Sequence, residues 1–161
     1  MLDRLQSLLK GKEFISLATA SLEGEPHATP KFIFKIKKRF IYLIDYAIAK
    51  SATNLRQNPR AALSFMDLTN LEGYRISGSA QVIENGKVFD RIVKEFDKKL
   101  IKLSADRFIE GMKTGKKHEH YELEIPRRFV VIKIIAQEMV KVGRNGELTV
   151  ERAHGNADHH Q

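Results

Sequence analysis

Between residues 13 and 84 five runs of strand-type residues follow one another without βαβ alternation, and that order limits which sheets the chain can build. The runs are Glu13–Ser21, His27–Lys35, Arg39–Asp45, Ala61–Asp67 and Tyr74–Glu84, each rich in β-branched, aromatic or other apolar residues. A doubly wound parallel sheet would need a crossover helix after each strand. Here Glu23-Gly24 separates the first two runs, and a basic stretch of Lys35, Lys37, Lys38 and Arg39 separates the next two. Short turns of this kind give an antiparallel meander with a solvated, charged hairpin tip.

Helical periodicity marks the remainder. Leu2, Leu5, Leu8 and Leu9 define a short amphipathic helix over residues 2–10 that ends at Gly11. A helix of one or two turns starts near Ser51 and is stopped by Asn58-Pro59. Phe89, Ile92, Val93, Phe96, Leu100 and Leu103 keep an i, i+3, i+4, i+7 rhythm, so a helix is expected over 87–103, with a second piece over 106–113. A long strand over Tyr121–Ile135, with Pro126 near its start, comes next. Asn145-Gly146 then marks a two-residue, type I′ hairpin within Met139–Glu151. The pattern is mostly β with helices at the periphery, which suits a small antiparallel barrel. One domain is expected over residues 1–152, followed by a polar tail, 153–161, with nothing to pack.

Composition closes several routes. The chain has 161 residues and no cysteine, so disulfides and thiolate chemistry are excluded. No apolar run is long enough for a membrane span and no secretion signal stands at the start, so a cytoplasmic protein is expected. A net charge of +8 invites a polyanion, but tryptophan is absent, aromatics are few and no nucleic-acid motif is present, so no nucleic-acid partner is expected.

Two segments are candidates for ligand chemistry. In Thr29-Pro30-Lys31-Phe32 the proline cannot donate to a ladder, so that strand is an edge or is bent there. It is either a platform for a planar hydrogen-bonding ring or simply a strand end. Lys50-Ser51 opens a helix, and helix N-termini attract anions. The plainer alternative makes Ser51 an N-cap and Lys50 its solvated neighbour. His118 and His120 flank Glu119, and His154, Asp158, His159 and His160 lie in the tail, but their spacing supplies no third metal partner, so no metal site is expected. No nucleophile elbow, HExxH helix or glycine-rich phosphate loop occurs, and no catalytic residue is named.

Taken together, the text resembles the pyridoxamine 5′-phosphate oxidase-like proteins. The likeness runs through Leu17-Ala-Thr-Ala-Ser-Leu-Glu-Gly-Glu-Pro-His-Ala-Thr-Pro-Lys-Phe, Phe40-Ile-Tyr-Leu-Ile-Asp and Ala49-Lys-Ser-Ala-Thr-Asn-Leu-Arg-Gln-Asn-Pro-Arg. It continues in Tyr74-Arg-Ile-Ser-Gly-Ser-Ala-Gln-Val. It covers roughly residues 10–85 well and 120–143 loosely. The resemblance implies a six-stranded antiparallel split β-barrel that forms a homodimer with FMN at the interface. By position it sets Thr29, Pro30, Lys31 and Phe32 against the flavin ring and ribityl chain, with Ile44 and Asp45 on the neighbouring strand. Lys50 and Ser51 would hold the phosphate, helped by Lys31. The implied activity is that of a flavin-dependent oxidoreductase acting on a small molecule. A deazaflavin reductase, a non-catalytic flavin module and a haem-binding module are the alternatives. An arginine and an Arg-Lys pair of true pyridoxamine phosphate oxidases are replaced here by Thr29 and Ala49-Lys50, and their C-terminal Arg-x-His substrate motif and tryptophans are not matched, so vitamin B6 oxidation is not expected.

Overall fold

The computed structural model describes residues 2–46, 49–114 and 128–153. In chain order the elements are α1 (Leu2–Leu8), β1 (Phe14–Ala20), β2 (Pro26–Lys37), β3 (Phe40–Asp45) and α2 (Lys50–Gln57). They continue with β4 (Arg60–Asp67), β5 (Glu72–Ile83), α3 (Gly86–Thr114), β6 (Val130–Val142) and β7 (Leu148–Arg152). The strands pair antiparallel in the order β3-β2-β1-β4-β5-β6-β7, and β3 also pairs with β6. That last pairing closes six strands into a barrel, and β7 adds to β6 outside the ring. Closure pairs the six barrel strands around the ring, leaving among the described strands the outer side of β7 and the first half of β2 without a ladder partner.

The barrel is filled by alternate residues of each strand, among them Ile15, Leu17, Ile33, Ile41, Leu43, Leu63 and Ile76. Each mouth has its own helix. α1 and the turn after it lead into the start of β1 and add Leu5 and Leu9 to this core, while α2 links the end of β3 to the start of β4 and adds Ala52 and Leu55. On the outer wall a second cluster forms where Ile92 and Phe96 of α3 lie over Phe32, Phe34, Ile44 and Val131.

The hairpins show why the turn residues stand where they do. Gly24 and Gly146 both have φ near +80° (84° and 81°). Each donates its N–H to the carbonyl three residues earlier, Ser21 and Gly143 respectively. The loops are therefore three-residue turns of type I followed by a left-handed glycine. For Asn145-Gly146 this corrects the type I′ expectation: Gly143 pairs with Glu147 across the turn, which needs one more loop residue.

Two further expectations change. The helices expected over 87–103 and 106–113 are one helix, α3, because Ser104-Ala105 contains no breaker and the backbone ladder continues although the apolar rhythm shifts. The strand expected to end at Ile135 continues to Val142, and the register between Ser77 and Gly78 slips so that Gln137 is the extra residue of a bulge. Gly78 is required at this bulge, since a Cβ there would stand 2.0 Å from the carbonyl oxygen of Ile135. Tyr121–Arg127, the 118–120 cluster and the tail beyond Ala153 lie outside the described residues. No described helix is long and apolar enough to cross a membrane.

Candidate functional site

β2 carries the first candidate segment. Its ladder with β1 runs the whole length from Pro26 to Phe32, but its ladder with β3 begins only at Phe32↔Ile44. Among the described residues the stretch 26–31 therefore has one open side, and Pro30 sits in it without wasting a donor. The strand is interior to the barrel as a whole and an edge over this half.

Alternation splits the segment between two faces. Lys31 shares the inward face with Ile33, and Thr29, opposite the buried Leu17, does too. Pro30 and Phe32 face outward. Pro30 lines a shallow hollow of about 370 Å³ together with Lys12, Phe14, Ser64 and Phe65. Phe32 and Ile44 lie beneath Phe96, whose ring stands 5.8 Å from that of Phe32 in an edge-on contact. α3 thus covers Phe32, which the resemblance sets against the flavin, and Ile44 on the neighbouring strand.

Inside the mouth Lys31 Nζ donates to Asp45 Oδ1 at 2.8 Å, with the side chains 7% and 1% exposed. The Lys31 charge is cancelled where it stands. Burial of such a pair is tolerated because each ion is the other's partner.

α2 brings the second segment. Its N-terminal residue is Lys50, and Ala49 occupies the cap position with no side-chain hydrogen bond. Ser51 is therefore the second helical residue and not the N-cap. Its side chain is 1% exposed, and its Oγ finds no hydrogen-bond partner among the described residues. An orphaned buried hydroxyl at the positive end of a helix is unusual, because leaving it unpaired costs about 1–3 kcal/mol. Lys50 stays half-exposed and reaches across to Glu25, Nζ to Oε2, at 2.7 Å.

The helix is tied to the tip of the β1–β2 hairpin. Asn54 Nδ2 donates to Thr19 Oγ1 at 3.2 Å, and Asn58 Nδ2 donates to the Ala20 carbonyl at 3.2 Å. Thr19, Lys31, Asp45, Ser51 and Asn54 are the buried polar residues of the described chain. Thr19 and Asp45 lie at the ends of β1 and β3 that lead towards α2, Lys31 lies midway along β2, and Ser51 and Asn54 belong to α2 itself.

Two titratable groups near this end are perturbed. Burial beside Phe96 pushes the Tyr46 phenol above its usual range. Desolvation holds the Lys99 ammonium below its usual range, where it donates to the carbonyls of Ile33 and Phe34 at 3.2 and 2.9 Å. Lys99 also lies over the Phe32 ring, 5.1 Å from its centre, and so fastens α3 to the irregular part of β2. A separate cavity of about 510 Å³ opens between α2, α3 and β6, lined by Arg56, Glu84, Phe89, Val93, Arg128 and Phe129. It adjoins the site through the Asp45↔Val130 pair.

Sequence reasoning missed Glu25, Thr19, Asn54, Tyr46, Phe96 and Lys99. Asn54 was within reach, since it stands three residues after Ser51 on one helix face. The rest depend on contacts between distant segments.

The closed six-stranded antiparallel barrel with helices at both mouths defines a split-barrel protein, with a polar helix-start site at one mouth. The profile of pyridoxamine 5′-phosphate oxidase matches residues 1–141, and the chain belongs to that family. Among solved structures it is similar to a protein related to general stress protein 26 from Clostridium acetobutylicum, at 13% identity and TM-score 0.64, covering 94% of this chain and 93% of that one. It is also similar to a pyridoxamine 5′-phosphate oxidase-related, FMN-binding protein from Nostoc punctiforme, at 13% identity and TM-score 0.53, covering 96% and 93%. A haem-binding protein from Mycobacterium smegmatis matches at 17% identity and TM-score 0.61, covering 94% of this chain and 57% of that one. Identities this low speak for the fold alone. A comparison with curated proteins finds no match.

Proposed function

We propose that this chain binds FMN and serves as a flavin-dependent oxidoreductase on a small molecule, working in the cytoplasm as a homodimer with the cofactor at the subunit interface. The observation that carries the reading is Ser51: a buried hydroxyl without a described partner, on the first turn of α2 and next to Lys50. A phosphate there would satisfy that hydroxyl, the free helix N–H groups and the Lys50 ammonium together. The residues fit a phosphate well. They fit the ring system less completely, because Phe32 and Ile44 are covered by Phe96 and only the open side of residues 26–31 is accessible.

In this reading Lys50 and Ser51 hold the phosphate, and the backbone groups of Ala28 and Pro30, which point away from β1, orient the ring. The Lys31–Asp45 pair and Phe32 with Ile44 support that strand from inside and outside. Bound FMN supplies the electron chemistry, and the protein supplies position and electrostatics. The FMN-binding protein from Nostoc punctiforme supports this choice of ligand. Haem is the second reading, favoured by the haem-binding neighbour from Mycobacterium smegmatis.

The absorption spectrum of the purified protein, with mass spectrometry of whatever acid releases, separates these readings. Flavin bands and released FMN support the first. A Soret band would establish the second, and a colourless protein that takes up neither ligand would remove both.

A further inference from the structure

Lys50, the exposed cation of the proposed phosphate site, is already engaged. Its ammonium pairs with Glu25 at 2.7 Å, and Glu25 is held by a fixed turn. The Glu25 N–H donates to Ser21 Oγ at 3.2 Å, and its carbonyl accepts from the Ser21 N–H at 3.1 Å. Gly24, with φ of 84°, completes that turn. The carboxylate is thus delivered to Lys50 by a rigid hairpin. The other cation in the assigned set, Lys31, is neutralised by Asp45 inside the barrel, where breaking the pair would strand a buried charge. Of the two lysines, Lys50 alone can change partner at low cost.

We infer that Glu25 is a specificity-determining residue: it is an internal counter-ion that an incoming phosphate must displace from Lys50. This rests on the phosphate assignment above and extends it. A ligand carrying a phosphomonoester dianion offers Lys50 a stronger partner than the carboxylate it replaces. A ligand with no phosphate has no such partner to offer and leaves the Lys50–Glu25 pair in place. The pair then works as a charge threshold at the mouth of the site. α2 does not depend on it, because Asn54–Thr19 and Asn58–Ala20 hold the helix to the same hairpin.

The test is calorimetric titration of FMN and of riboflavin into the wild-type chain, Glu25→Gln and Lys50→Ala, with thermal melting of each to verify folding. Removing an exposed ion pair frees Lys50 at little cost, so Glu25→Gln is expected to bind FMN about two- to fivefold tighter. Riboflavin binding should not change. Lys50→Ala should lose FMN affinity selectively. If Lys50→Ala behaves so but Glu25→Gln binds FMN no better than wild type, the counter-ion role is overturned while the phosphate site stands. If neither variant distinguishes FMN from riboflavin, the phosphate assignment fails and the role of Glu25 fails with it.

Discussion

Removing one member of the Lys31–Asp45 pair measures how dry the barrel mouth is. The two side chains are 7% and 1% exposed, and the ions are 2.8 Å apart. Lys31→Met leaves a carboxylate without its ammonium, and Asp45→Leu leaves an ammonium without its carboxylate. Breaking a buried pair in this way costs about 3–5 kcal/mol. That is a fifth or more of the roughly 5–15 kcal/mol that keeps an ordinary domain folded. At about 2–4 °C per kcal/mol for a domain of this size, each single substitution should lower Tm by about 6–20 °C. The double substitution removes both charges together, and apolar replacements of buried pairs are often neutral, so it should fall within about 1 kcal/mol of wild type. Urea unfolding of the four proteins at one pH gives the coupling directly. Single substitutions that cost less than about 1 kcal/mol, as exposed pairs do, would refute the reasoning by showing that water reaches the pair.

Phe96→Ala should cost about 3–5 kcal/mol by chemical denaturation, since the ring is fully buried and meets Phe32, Phe34 and Phe129 edge-on. A cost below about 1 kcal/mol would mean that α3 is not anchored there. Gly78→Ala should destabilise far more than Gly24→Ala in the same assay. The first places a Cβ 2.0 Å from a backbone oxygen, whereas the second meets nothing within 4 Å and strains only a φ of +84°. Equal losses would contradict the bulge geometry. The Tyr74 phenol is pushed from 10.0 up to about 12, by burial first and then by its hydrogen bond to Glu72. Folding favours its protonated form, so that contribution is present below pH 10.0 and is lost as pH rises towards about 12. Phenolate absorbance during an alkaline titration should show Tyr74 ionising last and Tyr46 also above the ordinary value, and four tyrosines ionising together near that value would contradict it. Glu138 is held low by Arg152 and then by Arg75, so this surface triad should loosen as pH falls through the carboxylate range. Replacing Glu138 by Gln should flatten that acid dependence.

Local chemistry was legible in the sequence, and the closed six-stranded barrel that the family resemblance implied is the one observed, but the contacts that closure creates were not legible. Pro30 marked the open side of β2 because a residue without an N–H must avoid a ladder on that side. Glu23-Gly24 and Asn145-Gly146 marked turns, but the loop length at Asn145-Gly146 follows from the β6–β7 register, which those two residues do not encode. The continuity of α3 was hidden because a change of apolar rhythm at Ser104 resembles a break although no breaker stands there. Lys31 and Asp45 were placed in the site by the resemblance as separate residues, with Lys31 beside the phosphate, and not as a buried ion pair. Their burial follows from β3 pairing with β6, some ninety positions on, an event that no local pattern reports. The same distance hid Phe96 above Phe32 and Ile44. Ser51 was recognised as a helix start, yet its buried, unsatisfied hydroxyl emerges only once Ala49 is seen to occupy the cap.

A crystal structure of the chain grown with FMN tests the central claim most directly. The account predicts a phosphate oxygen within hydrogen-bond distance of Ser51 Oγ, with Lys50 Nζ turned from Glu25 towards the same phosphate. A phosphate seated elsewhere, with Ser51 Oγ bonded to the protein's own backbone and Lys50 still on Glu25, would contradict it.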